Sequence, residues 1–542
     1  MSPMAMNDRV HRLFRGVGAT AMFVAAGVVC SSCSIIAAQK KTDQCDSDRD
    51  CSAYPESKCD LLQHVCLTGA GPGPGASDAG GTDGSGLAPD AEGCWIGVGR
   101  ADASCFQCQV KSESDLLNAC TGAGCEPFNN TSRIAGFEAG KPPRTPIPDP
   151  PSDAGAPRDA GAADAGADAG RPSTNVRCSD LVPPPLYLMA SSALTLVLRT
   201  FAQALAPEVT LVYKYDTSCP SLDAILTGET KIKGTAVYWS GDRQLECDVD
   251  VARLADIGGC DLAPEACVPG FTGSSNLVDE TGPIQVFMLT VPKGSSQKSI
   301  SAEAAYDVFG FGAESGVEPW TAPSFLFKRH FNSGVQQVVS ATIHLPMNAW
   351  RGISIDKSSE MKPAMIGTPD PERTLGITSA DQADEQDSRA NLRTLAYQHF
   401  GQSCGYLPDS TLGSYDKKNV RDGHYTLWAP YHFYTRKSDR ASDPRIATVV
   451  NYLTGAKRLP NPNTDLITTL KQGGLIPSCA MRVEREKEGA TIRPFKPSPP
   501  CGCYFDVTSP GGQSPPECVT CRTAADCPAE RPLCNFGYCE PD

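Results

Sequence analysis

Residues 329–337 read RHFNSGVQQ: an arginine, then a Ser-Gly pair, between the apolar run SFLFK and the segment VVSATIHLP. The apolar run suits a strand and the later segment a helix, which puts Ser333 and Gly334 at a strand-to-helix turn. Two readings are open. In one, a charged residue ends a strand and Ser-Gly makes the turn. In the other, Arg329, the Ser333 hydroxyl and the Gly334 amide meet an anion. A helix start carries unpaired N–H groups and about half a positive charge. The surrounding sequence decides between these readings.

From about 176 to 505 the chain alternates short apolar runs with amphipathic stretches. LYLMA, VTLVYKY, IQVFMLTVP, SFLFKR, RTLGITSA and HYTLWAPYHFYTR read as strands. SSALTLVLRTFAQALA, SLDAILTG, SISAEAAYDVFG and DPRIATVVNYLTG read as helices. Strand–helix alternation over about 330 residues predicts an α/β body of two lobes. Lobe 1 is assigned to about 176–282 plus 424–505, and lobe 2 to about 283–423.

Other turns share the chemistry of the first. Ser191 and Ser192 lie between LYLMA and its helix, and Ser218 opens the helix after VTLVYKY. Each can act as a plain N-cap or can present hydroxyl and amide donors to an oxyanion. Asp261, in ADIGGCDLAP, can cap a turn. Facing an anion, it would accept a hydrogen bond only from an oxygen that keeps its proton, which selects against a fully ionised species.

In their order, these pieces resemble type II periplasmic solute-binding proteins, in particular the phosphate-binding subfamily of ABC import systems. LYLMASSALTLVL resembles that family's opening strand, turn and helix. VTLVYKYDTSCPSLDAILTG resembles its next strand, turn and helix. ADIGGCDLAP resembles its D-[FIV]-G-x-S-D-x-P segment, and FKRHFNSGVQQ its R-x-x-G-S-G-T segment. The similarity spans roughly 180–480. It implies a type II periplasmic-binding-protein-like fold and a small phosphate-like oxyanion ligand held by Ser191, Ser192, Ser218, Asp261, Arg329, Ser333 and Gly334. It also implies an ABC permease as partner. The chain departs from the pattern at Val335 (threonine in the family), Asn332 (glycine), Met189-Ala190 (a Gly-rich turn) and Cys260 (serine). Cys260 is a candidate to pair with Cys267.

The flanks differ in texture. Arg9, His11, Arg12 and Arg15 precede the short apolar run 17–29, VGATAMFVAAGVV, in the manner of an export signal. VVCSSCSII then resembles a bacterial lipoprotein signal, with 1–33 as signal and Cys33 as the lipidated residue; Cys30 is the alternative. Membrane attachment through this lipid anchor and an exported location, periplasm or outer cell envelope, follow from that reading. Twenty-five cysteines suit an oxidising compartment.

Cys45, Cys51, Cys59 and Cys66 (module 34–68) and Cys521, Cys527, Cys534 and Cys539 (module 515–542) repeat one spacing with Asp before the second cysteine. Both are small, disulfide-rich modules, one at each end. Zinc competes with disulfides because Cys518-x-x-Cys521 and Cys501-x-Cys503 have ligand-like spacing. A second cysteine segment occupies 93–140. Gly/Ala/Asp/Pro-rich spacers occupy 69–92 and 141–175.

The formal charge of −14 excludes non-specific nucleic-acid binding. The sequence holds no G-x-S-x-G, H-E-x-x-H or P-loop. No enzyme, cofactor or metal is expected. The alternative function class is a disulfide-rich envelope interaction or adhesion protein whose fold no longer binds a solute.

Overall fold

The computed structural model describes residues 57–60, 65–68, 105–106, 110–138, 144–146, 176–206, 208–241, 243–460, 464–509 and 515–542. The expected signal, Cys33, Cys45, Cys51 and most of both spacers lie outside the described residues. The chain divides into two units at Gly80/Gly81. In the first, Ser57–Asp60 and Val65–Thr68 form a hairpin with Cys59 opposite Cys66.

The second unit is built on β1 (Pro185–Ala190), α1 (Thr195–Leu205), β2 (Thr210–Tyr215), α2 (Ser218–Leu226), β3 (Ile232–Ser240), β4 (Arg243–Arg253) and β5 (Ile257–Cys260). It continues with β6 (Leu277–Pro292), α3 (Ala302–Phe311), β7 (Leu326–Arg329), α4 (Gly334–Thr342), β8 (Ile353–Ile355), α5 (Ser358–Ile366), β9 (Leu375–Ser379), β10 (Trp428–Arg436) and α6 (Pro444–Thr454).

Strand β6 joins two sheets. Its first part, Leu277 to Val286, pairs antiparallel with β10, and its next residues, Phe287 to Thr290, pair antiparallel with β9. Beyond β10 the order is β5, β1, β2, β3, β4; beyond β9 it is β7, β8. Strands β5, β1 and β2 are mutually parallel, as are β9, β7 and β8. The chain crosses back beside its outward path, where the Phe287 amide donates to the Leu427 carbonyl at 2.8 Å. Two parallel-stranded α/β lobes joined by crossing strands make this a type II periplasmic-binding-protein-like fold.

Pleat and helical period explain the layers. In β1, Leu186, Leu188 and Ala190 pack into one core with Val197, Leu198 and Phe201 of α1 and Val449 and Val450 of α6. Tyr187 and Met189 point to the other face, toward Leu222 and Ile225 of α2. Helix α2 lies close on β5 because Gly258 has no Cβ: one built there would stand 2.4 Å from the Ser221 carbonyl oxygen. Between α2 and β5 lies an antiparallel hairpin, β3–β4, with many exposed residues.

Eight disulfides occur among the described residues. They belong to a chain that matures outside a reducing compartment. Cys267 pairs with Cys219, which corrects the expected Cys260–Cys267 pair; Cys260 is a buried free thiol. Its side chain enters the core from β5, while Cys267 lies on a short turn that faces the start of α2. Cys501 pairs with Cys479 and Cys503 with Cys518. Cys521 pairs with Cys534 and Cys527 with Cys539. Among the described residues one group, Cys521, Cys527 and Cys539, has metal-like proximity, and all three sulfurs are spent in those disulfides. The third and fourth cysteines of this module face each other in a hairpin, Cys534 opposite Cys539, as Cys59 and Cys66 do in the first unit.

The segment 110–138 is tied to lobe 2 by Cys125–Cys404, and it buries Phe128 and Ile134 in the lobe's core. The two cysteines are 279 residues apart, so the link removes much denatured-state freedom. Replacing both with serine is expected to lower unfolding stability by about 2–4 kcal/mol. The readout is the denaturant midpoint. An unchanged midpoint would mean that packing alone holds the segment.

Candidate functional site

Between the lobes lies a cavity of about 50 Å³, and it is lined by all seven predicted residues: Ser191, Ser192, Ser218 and Asp261 from lobe 1, Arg329, Ser333 and Gly334 from lobe 2. One water needs ~10–15 Å³ of such space, so the cavity has the scale of one small oxyanion.

Each residue is placed by a strand end that opens into a helix. Ser191 follows β1 and takes the N-cap position of the helical turn Ser192–Leu194 that leads into α1. Its hydroxyl shares a 3.0 Å hydrogen bond with the Tyr431 hydroxyl, and its carbonyl accepts from Tyr213. Ser218 begins α2, and Ser333 and Gly334 begin α4. The N-cap positions Ser191, Thr217, Ser333 and Lys357 make no side-chain cap hydrogen bond to their own helices. Away from the cleft, Ser301, Asp443 and Asp465 cap theirs, while Glu385, Arg436 and Cys501 do not. The helix starts around the cavity therefore keep amides that their own caps leave to another acceptor.

Arg329 closes β7 and is 7% exposed. Its Nη1 donates to Ser358 Oγ at 2.7 Å and its Nη2 to the Asp356 carbonyl at 2.8 Å, while its main-chain amide donates to Gln336 Oε1 at 2.9 Å. These bonds hold the guanidinium at the cavity wall. Asp261 is 4% exposed and accepts from Ser218 Oγ at 2.6 Å. Burial pushes its carboxyl above the usual range, against the pull of the Ser218 hydroxyl. It also faces lobe 2: a Cβ on Gly334 would lie 1.9 Å from Asp261 Oδ1. Glycine at 334 is what lets the lobes approach this closely.

Two acids that sequence reasoning missed line the same cavity. Asp216 follows β2, and its Oδ1 accepts from the Thr217 amide at 2.7 Å. Asp381 follows β9 and accepts from the side-chain amides of Gln285 at 3.2 Å and Gln382 at 3.1 Å. Burial raises the pKa of both. Thr217, Ser358, Ser379 and Gln285 complete the polar wall, and Val335 adds an apolar side chain to the lining. Asp216 stands directly before Thr217-Ser218 in sequence, and Ser358 opens a helix as Ser218 does; those were the available signals.

No protein-family model matches the chain, and no curated protein matches its sequence. Solved structures match by shape. One is an ABC-type phosphate transport receptor from Vibrio cholerae, at 12% identity over 54% of this chain and 99% of that one, TM-score 0.35. Another is a phosphate ABC transporter substrate-binding protein from Clostridium perfringens with bound phosphate, at 15% identity over 54% of this chain and 99% of that one, TM-score 0.37. A third is the regulatory domain of CcmR from Synechocystis in complex with 2-PG, at 10% identity over 51% of this chain and 97% of that one, TM-score 0.31.

Proposed function

We propose that this chain is an exported solute-binding protein, anchored by a lipid on Cys33. It captures a small, protonated, phosphate-like oxyanion between its lobes for delivery to an ABC permease. The observation that carries this reading is the convergence of several helix starts, uncapped by their own side chains, on one cavity that also holds Arg329 and Asp261. The amides and the guanidinium supply donors to anionic oxygen. Asp261 supplies an acceptor for the ligand's remaining proton.

The test is calorimetric titration with phosphate and sulfate. Phosphate is expected to bind and sulfate to bind far less. Removing the guanidinium with Arg329→Ala is expected to cost about 1.5–3 kcal/mol, roughly tenfold to a hundredfold in affinity.

The sign of the pH effect follows from burial. The Asp261 carboxyl is raised, so lowering the pH toward its folded pKa protonates it and removes the charge that rejects a fully ionised anion. The preference for phosphate over sulfate narrows as pH falls, and Asp261→Asn removes that pH dependence. Absence of heat with phosphate and sulfate would instead favour the reading as a disulfide-rich envelope interaction protein.

A further inference from the structure

The cavity holds one guanidinium and three carboxylates, Asp216, Asp261 and Asp381. A site for a simple anion has use for one carboxylate, the acceptor of the ligand's proton. Two more on facing walls would repel it. The three do not form a cage for a metal ion, since the one such group among the described residues is in the C-terminal cysteines. They also differ in depth. Asp261, Arg329, Ser218 and Ser333 are buried, whereas Asp216 and Asp381 are only partly buried. The donors that meet Asp216 and Asp381 are uncharged, from Thr217, Ser379, Gln285 and Gln382, and Lys214 acts on Asp216 from nearby. The cavity thus sets Arg329 and Asp261 among its buried residues and Asp216 and Asp381 among its partly exposed ones.

We infer that the solute is a zwitterion: an oxyanion held deep against Arg329 and the helix amides, carrying an ammonium group that Asp381 and Asp216 receive nearer to solvent. This rests on the solute-capture reading and narrows its ligand class. An ammonium offers three donors and a positive charge to Asp381, whose hydrogen-bond donors on the chain are uncharged, and to Asp216, which has Lys214 nearby. Gln285 and Gln382 orient the Asp381 carboxylate by holding one oxygen each.

The experiment is titration of the full mature protein with 2-aminoethylphosphonate, ethylphosphonate, β-alanine and inorganic phosphate. The first two differ by the ammonium group alone. 2-Aminoethylphosphonate is expected to bind about tenfold or more tighter than ethylphosphonate, the size expected for a desolvated charge pair. Asp381→Asn is expected to lower that ratio several-fold. Asp216→Asn is a second variant in case the first folds poorly, with circular dichroism as the check on both. Tight β-alanine binding with the same dependence on Asp381 supports a zwitterion whose anionic end is a carboxylate. Equal or tighter binding of ethylphosphonate, or a ratio unchanged in both variants, overturns the inference while leaving oxyanion capture intact. No binding of any of the four compounds overturns both.

Discussion

Gly334→Ala is expected to fold at least as well as the parent chain and to lose solute affinity by about two orders of magnitude or more. The added Cβ would stand 1.9 Å from Asp261 Oδ1, 2.4 Å from Cγ and 2.6 Å from Oδ2. Ordinary contact begins near 3.4 Å, so lobe 2 must retreat by about 1.5 Å (3.4 less 1.9). Asp261 cannot swing aside freely, because its carboxylate is buried and bonded to Ser218.

Helix α4 itself is not harmed: alanine is favoured over glycine in a helix by up to about 1 kcal/mol. A retreat of that size takes Arg329 and the α4 amides out of hydrogen-bond range of a ligand seated on lobe 1. Charge-assisted bonds are worth about 1.5–3 kcal/mol each, so losing two costs about 3–6 kcal/mol, a hundredfold or more. Calorimetry reads the affinity, thermal melting reads the fold, and small-angle scattering reads the spacing of the lobes. Parent-like affinity in a folded Gly334→Ala protein would show that the solute does not need this closed contact.

The parts of this arrangement that could be read from sequence are those whose signal is local. The helical spacing of Val197, Leu198 and Phe201 marks α1, and the run IQVFMLTVP, apolar but for Gln285 and Thr290, marks a strand buried on both faces. The turns at Ser191, Ser218 and Ser333 were visible because a small polar residue separates a strand pattern from a helix pattern. Asp381 was not. It reaches the cavity only because β9 pairs with β6, Thr378 opposite Met288, across 90 residues of sequence. No local pattern records that register. The Cys260–Cys267 expectation failed for the same reason. Proximity in sequence suggested a bond, but the pleat turns Cys260 into the core while Cys219, brought from α2, meets Cys267. The hairpin β3–β4 was missed although its signal is local: Leu245, Cys247, Val249 and Val251 alternate with Glu246, Asp248 and Asp250, and Ala236 to Trp239 form an apolar run.

The second large effect concerns how the C-terminal cystine module is fastened to the lobes. Arg421→Met is expected to lower stability by about 3–5 kcal/mol, the usual cost of breaking a buried ion pair from one side. Arg421 is 1% exposed. Its Nε donates to the Ala480 carbonyl at 2.9 Å, Nη1 to the Asp416 carbonyl at 3.3 Å and Nη2 to the Gly502 carbonyl at 3.3 Å. Nη1 and Nη2 both reach the Asp506 carboxylate, and the guanidinium lies 4.9 Å from the Phe505 ring centre.

Gly502 stands between Cys501, bonded to Cys479, and Cys503, bonded to Cys518. One side chain therefore joins the chain that returns to lobe 1 just before β10 to the node from which the last disulfides extend. Methionine fills part of the volume and supplies no donor, which leaves Asp506 and three carbonyls unsatisfied in a poorly solvated place. Converting Asp506 to leucine in the same chain removes the stranded charge and should recover part of the loss. Denaturant titration with the disulfides intact measures both variants. A loss below about 1 kcal/mol for Arg421→Met, the scale of an exposed pair, would mean that the disulfides alone hold the C-terminal module in place.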